Sequence, residues 1–226
     1  MNKGSKARER KLSAASLTRW AGLFLVLAGV LYILIQLIHP ADDLSSVNSQ
    51  LWVIVACLTM VMSLSSLIGI TGVYTRQVEE SGWLGLFGWI MFGLFWLISA
   101  AFSFVEAFVL PLLTTDAPKF VEGMTGIFGG TNSEADLGIF QALAPIAGVM
   151  YILGGLLFGI ATFRAKVHPP LGAVLLAVAA VATVAAAVIP HPYDRILAVP
   201  MGVAQIWLGI SLYFERRRTS EHGASR

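Results

Sequence analysis

The chain has 226 residues, of which 57% are hydrophobic and only 12% are charged, whereas ordinary soluble domains are about 25% charged. A water-soluble domain of this size could not bury so much apolar surface, so the composition excludes a soluble globular protein. The formal net charge of +2 comes from the tails and alternate loops rather than from a basic face with aromatic residues, which argues against nucleic-acid binding.

Six apolar runs are each long enough to cross a bilayer, which takes about 20 residues at 1.5 Å rise per residue. The runs are continuous rather than alternating, so they predict helices and not the strands of a barrel. The first run is too long for the apolar core of a signal peptide, and we expect it to be an uncleaved span. The sequence therefore predicts an all-α membrane protein, a six-transmembrane-helix bundle over 20–214 with tails at 1–19 and 215–226. The predicted spans are 20–38, 51–74, 83–110, 137–163, 171–189 and 196–214.

The positive charges are distributed unevenly along this topology. Thirteen of the 15 Lys and Arg residues lie in the two tails and in the loops after the second and fourth spans. The remaining loops contain only Lys119 and Arg195. Loops rich in Lys and Arg face the cytoplasm, so we predict a multi-pass protein of the plasma membrane with both termini cytoplasmic.

The ends of the spans indicate an internal repeat. The even-numbered spans end with a Gly-Ile step, a small residue, an aromatic residue and Arg, at 69–76, 159–164 and 209–216. Each odd-numbered span ends beside a proline: Pro40, Pro111 or Pro190. We interpret the pattern as three helical hairpins in tandem. The alternative is that any helix ending at the inner surface favours an interfacial aromatic residue followed by Arg.

Local features predict departures from six straight spans. In the longest loop, 111–136, apolar residues recur at helical spacing opposite charged ones, which predicts a short amphipathic segment on the outer membrane surface. An irregular loop is the alternative. Pro145 and Pro200 lie inside the fourth and sixth predicted spans and predict kinks there.

Glu106 is the only carboxylate within a predicted span. A charge at membrane depth costs several kcal/mol, so such residues face the interior of the bundle and are candidates for function. Alternatively, Glu106 lies close enough to the outer end to reach headgroup water or to pair with Lys119 or Arg195. Helical spacing places polar residues in one stripe on each of two spans. The stripes are Gly29, Tyr32, Gln36 and His39 on the first span and Ser99, Ser103 and Glu106 on the third.

Three hairpins around a common axis would bring the outer ends of the odd-numbered spans to one outward-facing mouth. The residues predicted to bind a ligand there are Gln36, His39, Glu106, Gln141 and His191. The pattern favours a non-catalytic binding, sensing or accessory module for a small molecule, a lipid or a partner protein. A small proton-coupled transporter centred on Glu106 is an alternative, although the sequence has no inverted repeat. Gln205, inside the sixth span, is predicted to bond across the bundle.

Catalytic motifs are absent from the sequence. It contains no HExxH, no GxSxG elbow, no phosphate-binding loop and no CxxC, since Cys57 is the single cysteine. Imidazole and carboxylate are nevertheless suitable ligands for zinc or non-haem iron, so a metal-dependent membrane hydrolase using His39, Glu106 and His191 is a second alternative. We assign no catalytic residue and no cofactor. The basic tail, Arg216 to Arg218, is interpreted as a topology anchor in contact with membrane lipids.

Two segments, Gly72 to Gln77 and Phe104 to Pro111, resemble a group of uncharacterised bacterial six-span membrane proteins common in actinobacteria and firmicutes. The resemblance covers the chain from about Arg19 to Arg216. The group has no established activity, so the resemblance implies a bacterial plasma membrane and leaves the ligand open. Glu106 is the one site candidate that lies inside a resembling segment.

Overall fold

The computed structural model describes residues 13–129, 135–189 and 193–223. Within these ranges the chain forms α-helices and short 3-10 segments and no strand, which confirms the predicted all-α class. The 3-10 segments are Gly138–Ala142, Thr183–Val188 and Tyr193–Ala198. The α-helices are α1 (Ala14–Ile38), α2 (Leu44–Val47), α3 (Gln50–Arg76), α4 (Val78–Phe108), α5 (Leu110–Leu113), α6 (Pro118–Gly129), α7 (Leu143–Ala165), α8 (Pro170–Ala182) and α9 (Val199–Gly223).

Five helical stretches in the described ranges are long and apolar enough to cross a membrane. Their outward surface carries large apolar side chains such as Leu34 and Leu97, which are 41% and 52% exposed. By contrast, Ser63 and Gln205 are fully buried between the helices. An apolar exterior around a partly polar interior is suited to lipid rather than to water, and it indicates a membrane protein. The five stretches are Ala14–Ile38, Gln50–Arg76, Val78–Phe108, Gly138–Ala165 and Arg195–Phe214.

The long helices form a closed ring. Each packs against the next one in the chain, in the order α1, α3, α4, α7, α8 and α9, and α9 packs along α1 to close the ring. In the predicted fifth span the apolar helix is shorter than the other five, covering Pro170–Ala185. Short helices and 3-10 segments connect the long helices at the end of the ring where α1 and α4 finish.

Glycines bring two pairs of helices into backbone contact. Between α1 and α9, a Cβ atom on Gly22 would lie 2.7 Å from the carbonyl oxygen of Gly209. Between α4 and α7, a Cβ atom on Gly154 would overlap the backbone nitrogen of Phe92, and Gly88 makes the equivalent contact from α4. We call α1 with α9 and α4 with α7 the two glycine-packed pairs. Contacts this close hold each pair in a single arrangement, because backbone atoms cannot move aside as side chains can.

The predicted kinks at Pro145 and Pro200 are wrong. Helices α7 and α9 begin at Leu143 and Val199, so both prolines lie in a first turn, where a backbone N–H has no partner inside the helix. The break instead occurs at Gly82 near the start of α4, which has φ 53° and ψ −151°. Glycine adopts this conformation without the steric cost of a Cβ atom.

The amphipathic segment in the longest loop is confirmed as a helix, α6, but its surroundings differ from the prediction. Val121 and Met124 are fully buried and belong to one apolar cluster with Trp52, Phe102 and Leu110. The apolar side of α6 therefore packs on the bundle, beside α2, α5 and the start of α7, rather than on lipid. Periodicity predicted the helix, but it could not distinguish a lipid contact from a protein contact, since both need the same apolar face.

Candidate functional site

A cavity of about 290 Å³ lies among the ends of α1 and α4, beside α3, α6 and α7. Helix geometry explains how it forms. The stripe on α1 and the stripe on α4 both face it, since Tyr32, Gln36 and His39 line it from α1 and Ser99, Ser103 and Glu106 line it from α4. The spacing of polar residues predicted both stripes. The ring arrangement of the helices then turns both stripes towards the same cavity.

Three of the five predicted binding residues, Gln36, His39 and Glu106, line the same cavity. Gln141 is exposed in the 3-10 segment before α7 and is not among the lining residues. His191 lies outside the described residues. Ligand binding by these residues stays a prediction, with Gln36, His39 and Glu106 as the part of it that shares one cavity.

Glu106 lies at the end of α4 and is held there by two neighbours. The indole N–H of Trp52 donates a hydrogen bond to the backbone oxygen of Glu106 at 3.0 Å, which satisfies a carbonyl that the helix end leaves without a partner. The hydroxyl of Ser103, one turn earlier, donates to the Glu106 carboxylate. Among the described residues, no Arg, Lys or His forms an ion pair with Glu106. The alternative in which Lys119 or Arg195 neutralises it is therefore not observed.

Arg195 pairs with Asp42 instead. A terminal guanidinium nitrogen of Arg195 lies 3.5 Å from Oδ2 of Asp42, and Nδ1 of His39 lies 3.9 Å from Oδ1 of the same carboxylate. The loop that carries Asp42 is fixed by its neighbour Asp43, which caps α2. Hydrogen bonds from the Ser45 hydroxyl and the Ser46 backbone N–H hold the pKa of Asp43 below its usual value.

Aromatic rings form the inner wall of the cavity. Tyr32, Phe95, Trp96 and Phe102 all line it, and the ring centroids of Trp96 lie 5.8 Å from Tyr32 and 4.8 Å from Phe95 in edge contacts. Trp96 is fully buried, and its indole N–H has no hydrogen-bond partner in the part of the chain that the structure describes. A buried donor without a partner costs about 1–3 kcal/mol.

The cavity ends in the middle of the ring. Ser99 in its wall lies 2.8 Å from the hydroxyl of Ser63 on α3, and one turn further Ser66 bonds Gln205 on α9 at 3.3 Å. This confirms the predicted cross-bundle bond of Gln205. Beyond this point the described core is a layer of apolar side chains, among them Leu25, Ile70, Val73, Leu208 and Leu212. The next buried polar pair is Gln77 and Thr162, near the opposite end of α3 and α7. The polar surface of the cavity therefore reaches about halfway along the helices before this apolar layer interrupts it.

A second cavity, of about 300 Å³, lies at the other end of α4 beside Gly82. Its lining includes Glu80 and Arg164, which are exposed, and Trp83, which is 75% exposed. Its charged side chains are solvated, so it is a weaker candidate than the cavity between α1 and α4, because solvent screens and competes with any ligand contact.

The sequence reasoning missed several lining residues for identifiable reasons. Trp96 lies three residues before Ser99, so extending the α4 stripe by one turn would have found it. Thr125 is buried in the lining because α6 packs onto the bundle, and no sequence signal indicated that contact. Within the described ranges no group of three or more His, Cys, Asp or Glu side chains could hold a metal ion. The metal-site prediction also includes His191, outside those ranges.

Comparison of the chain with family models, with curated proteins and with solved structures found no match to any of them. The fold and the cavity between α1 and α4 are therefore the features from which a function can be proposed.

Proposed function

We propose that this protein is a non-catalytic binding module of the membrane, which receives a small molecule in the cavity between α1 and α4. One observation carries the proposal. The carboxylate of Glu106, without an ion-pair partner among the described residues, stands at the end of a cavity with an aromatic inner wall. Cavities of roughly 300 Å³ and more with an apolar lining and a few polar groups are typical of small-molecule sites.

The proposed topology has six spans. The fifth would consist of α8 and the 3-10 segment Thr183–Val188 together. At 1.5 Å per α-helical residue and about 2.0 Å per 3-10 residue, the two reach about 32 Å, close to the hydrocarbon thickness of a bilayer. With six spans and the uneven Lys and Arg distribution, both termini would face the cytoplasm and the cavity would open on the outer side.

The orientation can be measured with reporter fusions. We expect cytoplasmic activity from fusions after Tyr74, Phe163 and Phe214, because the positively charged loops stay inside. Fusions within 45–50 or 116–132 should read external. A C-terminal fusion that reads external would overturn the orientation, and with it the outward opening of the cavity.

The cavity ends about halfway along the helices, and this favours a binding role over the transporter alternative. A transported molecule needs a path to the other side, and beyond Ser66 and Gln205 the polar side chains are interrupted by an apolar layer. Leu25 and Ile70 in this layer are less than 2% exposed, and the next buried polar pair, Gln77 and Thr162, lies about three turns further along α3. Molecules would therefore enter and leave by the same opening.

A cavity-filling substitution tests binding directly. Thr59 lines the cavity and bonds only to the carbonyl of Val55 on its own helix, so Thr59→Phe fills space without removing a contact between helices. The probes are benzyltrimethylammonium, benzylsulfonate and neopentylbenzene, added to purified protein during thermal unfolding. At one hundred times its Kd, a probe that binds should stabilise the wild type by about 2.7 kcal/mol and leave Thr59→Phe unchanged.

The matched control is Thr75→Phe, at an exposed position near the other end of the same helix. This variant should respond to the probes as the wild type does. Equal stabilisation of the wild type and Thr59→Phe would show that the probes act elsewhere, and stabilisation of neither by any of the three would reject the proposal.

A further inference from the structure

The charges that line the cavity do not cancel. Arg195 is paired with Asp42 at 3.5 Å, and this pair is neutral as a whole. Glu106 has no ion-pair partner among the described residues. Glu106 is therefore a carboxyl group in the cavity wall that no cationic side chain of the described residues balances, and a bound cation would hold it in its ionised form near low-dielectric walls, where a counter-charge is worth more than in water.

The aromatic wall favours the same kind of ligand. Phe102 lies one turn before Glu106 on α4, and Tyr32, Phe95 and Trp96 continue the wall inward. The negative faces of aromatic rings attract cations, with gains of about 0.5–2 kcal/mol, and recognition of quaternary ammonium groups commonly uses such walls. A carboxylate followed by several rings is thus a suitable environment for a cation with an apolar body, and an unfavourable one for an anion.

From these features we infer that the cavity binds an organic ammonium compound, with its cationic group at Glu106 and its apolar body along the aromatic wall. The inference rests on the proposed binding function and adds the chemical class of the ligand. An ammonium group could come from a free small molecule or from the headgroup of a lipid, and both offer the same chemistry to Glu106.

The test compares three probes that share a benzyl group and differ in charge. Benzyltrimethylammonium is a cation, neopentylbenzene is its neutral counterpart of the same shape, and benzylsulfonate is an anion. We expect the wild type in nanodiscs to bind the cation at least about tenfold more tightly than the neutral probe, and the anion more weakly than either. If the neutral probe or the anion binds as tightly as the cation, while Thr59→Phe still abolishes binding, the ligand class is wrong and the binding function stands. If no probe binds, the binding function itself is rejected.

Two substitutions assign the preference to the named charges. Glu106→Gln should reduce cation affinity about tenfold, to that of the neutral probe, and leave the neutral probe's affinity unchanged. Glu122→Gln removes an exposed carboxylate outside the cavity and is the matched control, so it should change neither. Arg195→Gln leaves Asp42 without its partner and should tighten cation binding severalfold, a gain that a misfolded protein could not produce. Loss of cation affinity in Glu122→Gln to the same extent, or an unchanged preference in Glu106→Gln, would overturn the assignment.

The source of the ammonium group is separated by lipid composition. If phosphatidylcholine occupies the cavity, benzyltrimethylammonium should bind more weakly in phosphatidylcholine nanodiscs than in phosphatidylglycerol nanodiscs. Equal affinity in both would assign the cavity to a free ammonium compound. A cation that binds in neither lipid would overturn the inference.

Discussion

Replacing Gly154 with alanine should destabilise the folded protein by about 3 kcal/mol, because the added methyl group would meet backbone atoms of Phe92 on α4. A neighbouring side chain could rotate away, but the backbone of a packed helix can only move as a whole. The overlap would therefore separate α4 from α7 and loosen one wall of the cavity. Thermal or denaturant unfolding of the purified protein in nanodiscs measures the change.

Gly148 on the same helix provides the control. A Cβ atom at Gly148 would meet nothing within 4 Å, so Gly148→Ala adds a methyl group at no steric cost. Alanine favours a helix over glycine by about 0.5–1 kcal/mol, and this variant should be as stable as the wild type or slightly more stable. Equal loss of stability in both variants would contradict the role given to the contact between Gly154 on α7 and Phe92 on α4.

Cysteine labelling should separate the open half of the ring from the closed half by a large factor. In a Cys57→Ser background, Gln36→Cys should react readily with a membrane-impermeant thiol reagent in intact cells, since Gln36 is partly exposed and lines the cavity. Ser66→Cys should react about a hundredfold more slowly, because Ser66 is fully buried and thiols in such surroundings are inert.

Thr75→Cys, exposed at the opposite end of α3, supplies the control for orientation and should react only after the membrane is permeabilised. Fast labelling of Ser66→Cys would mean that water reaches the centre of the ring, which favours the transporter alternative. Labelling of Thr75→Cys in intact cells would reverse the proposed orientation.

The features that the sequence predicted well depend on short-range patterns. Continuous apolar runs predicted the long helices, and helical spacing predicted that Gln36 and His39 share one face and that Ser103 and Glu106 share another. The repeated Gly-Ile step also acquires a physical meaning. A Cβ atom on Gly69, Gly159 or Gly209 would collide with a neighbouring helix, so the recurring glycine marks a close contact.

The features that escaped the sequence depend on how helices meet. Nothing in the residues around Pro145 indicated that α7 would begin just before it, since the preceding 3-10 segment is as apolar as a helix. Asp42 and Arg195 are 153 positions apart in the chain, and their ion pair follows from the packing of α9 along α1. Thr125 lines the cavity because α6 packs onto the bundle. Local periodicity specifies which face of a helix is polar but not which other helix that face will meet.

The cavity lies at the boundary between the two glycine-packed pairs of helices. α1 belongs to one pair, and α4 and α7 belong to the other, so Gln36 and Glu106 approach the same space from two separately locked units. A molecule bound between them would contact both helix pairs. It would reduce their relative motion, because the pairs are otherwise connected mainly through α3. Each helix pair runs the full length of the ring, so restricting its motion at one end also restricts it at the other end. Ligand binding on one side of the membrane would thus reduce the motion of the helices on the other side, although the ligand itself does not cross.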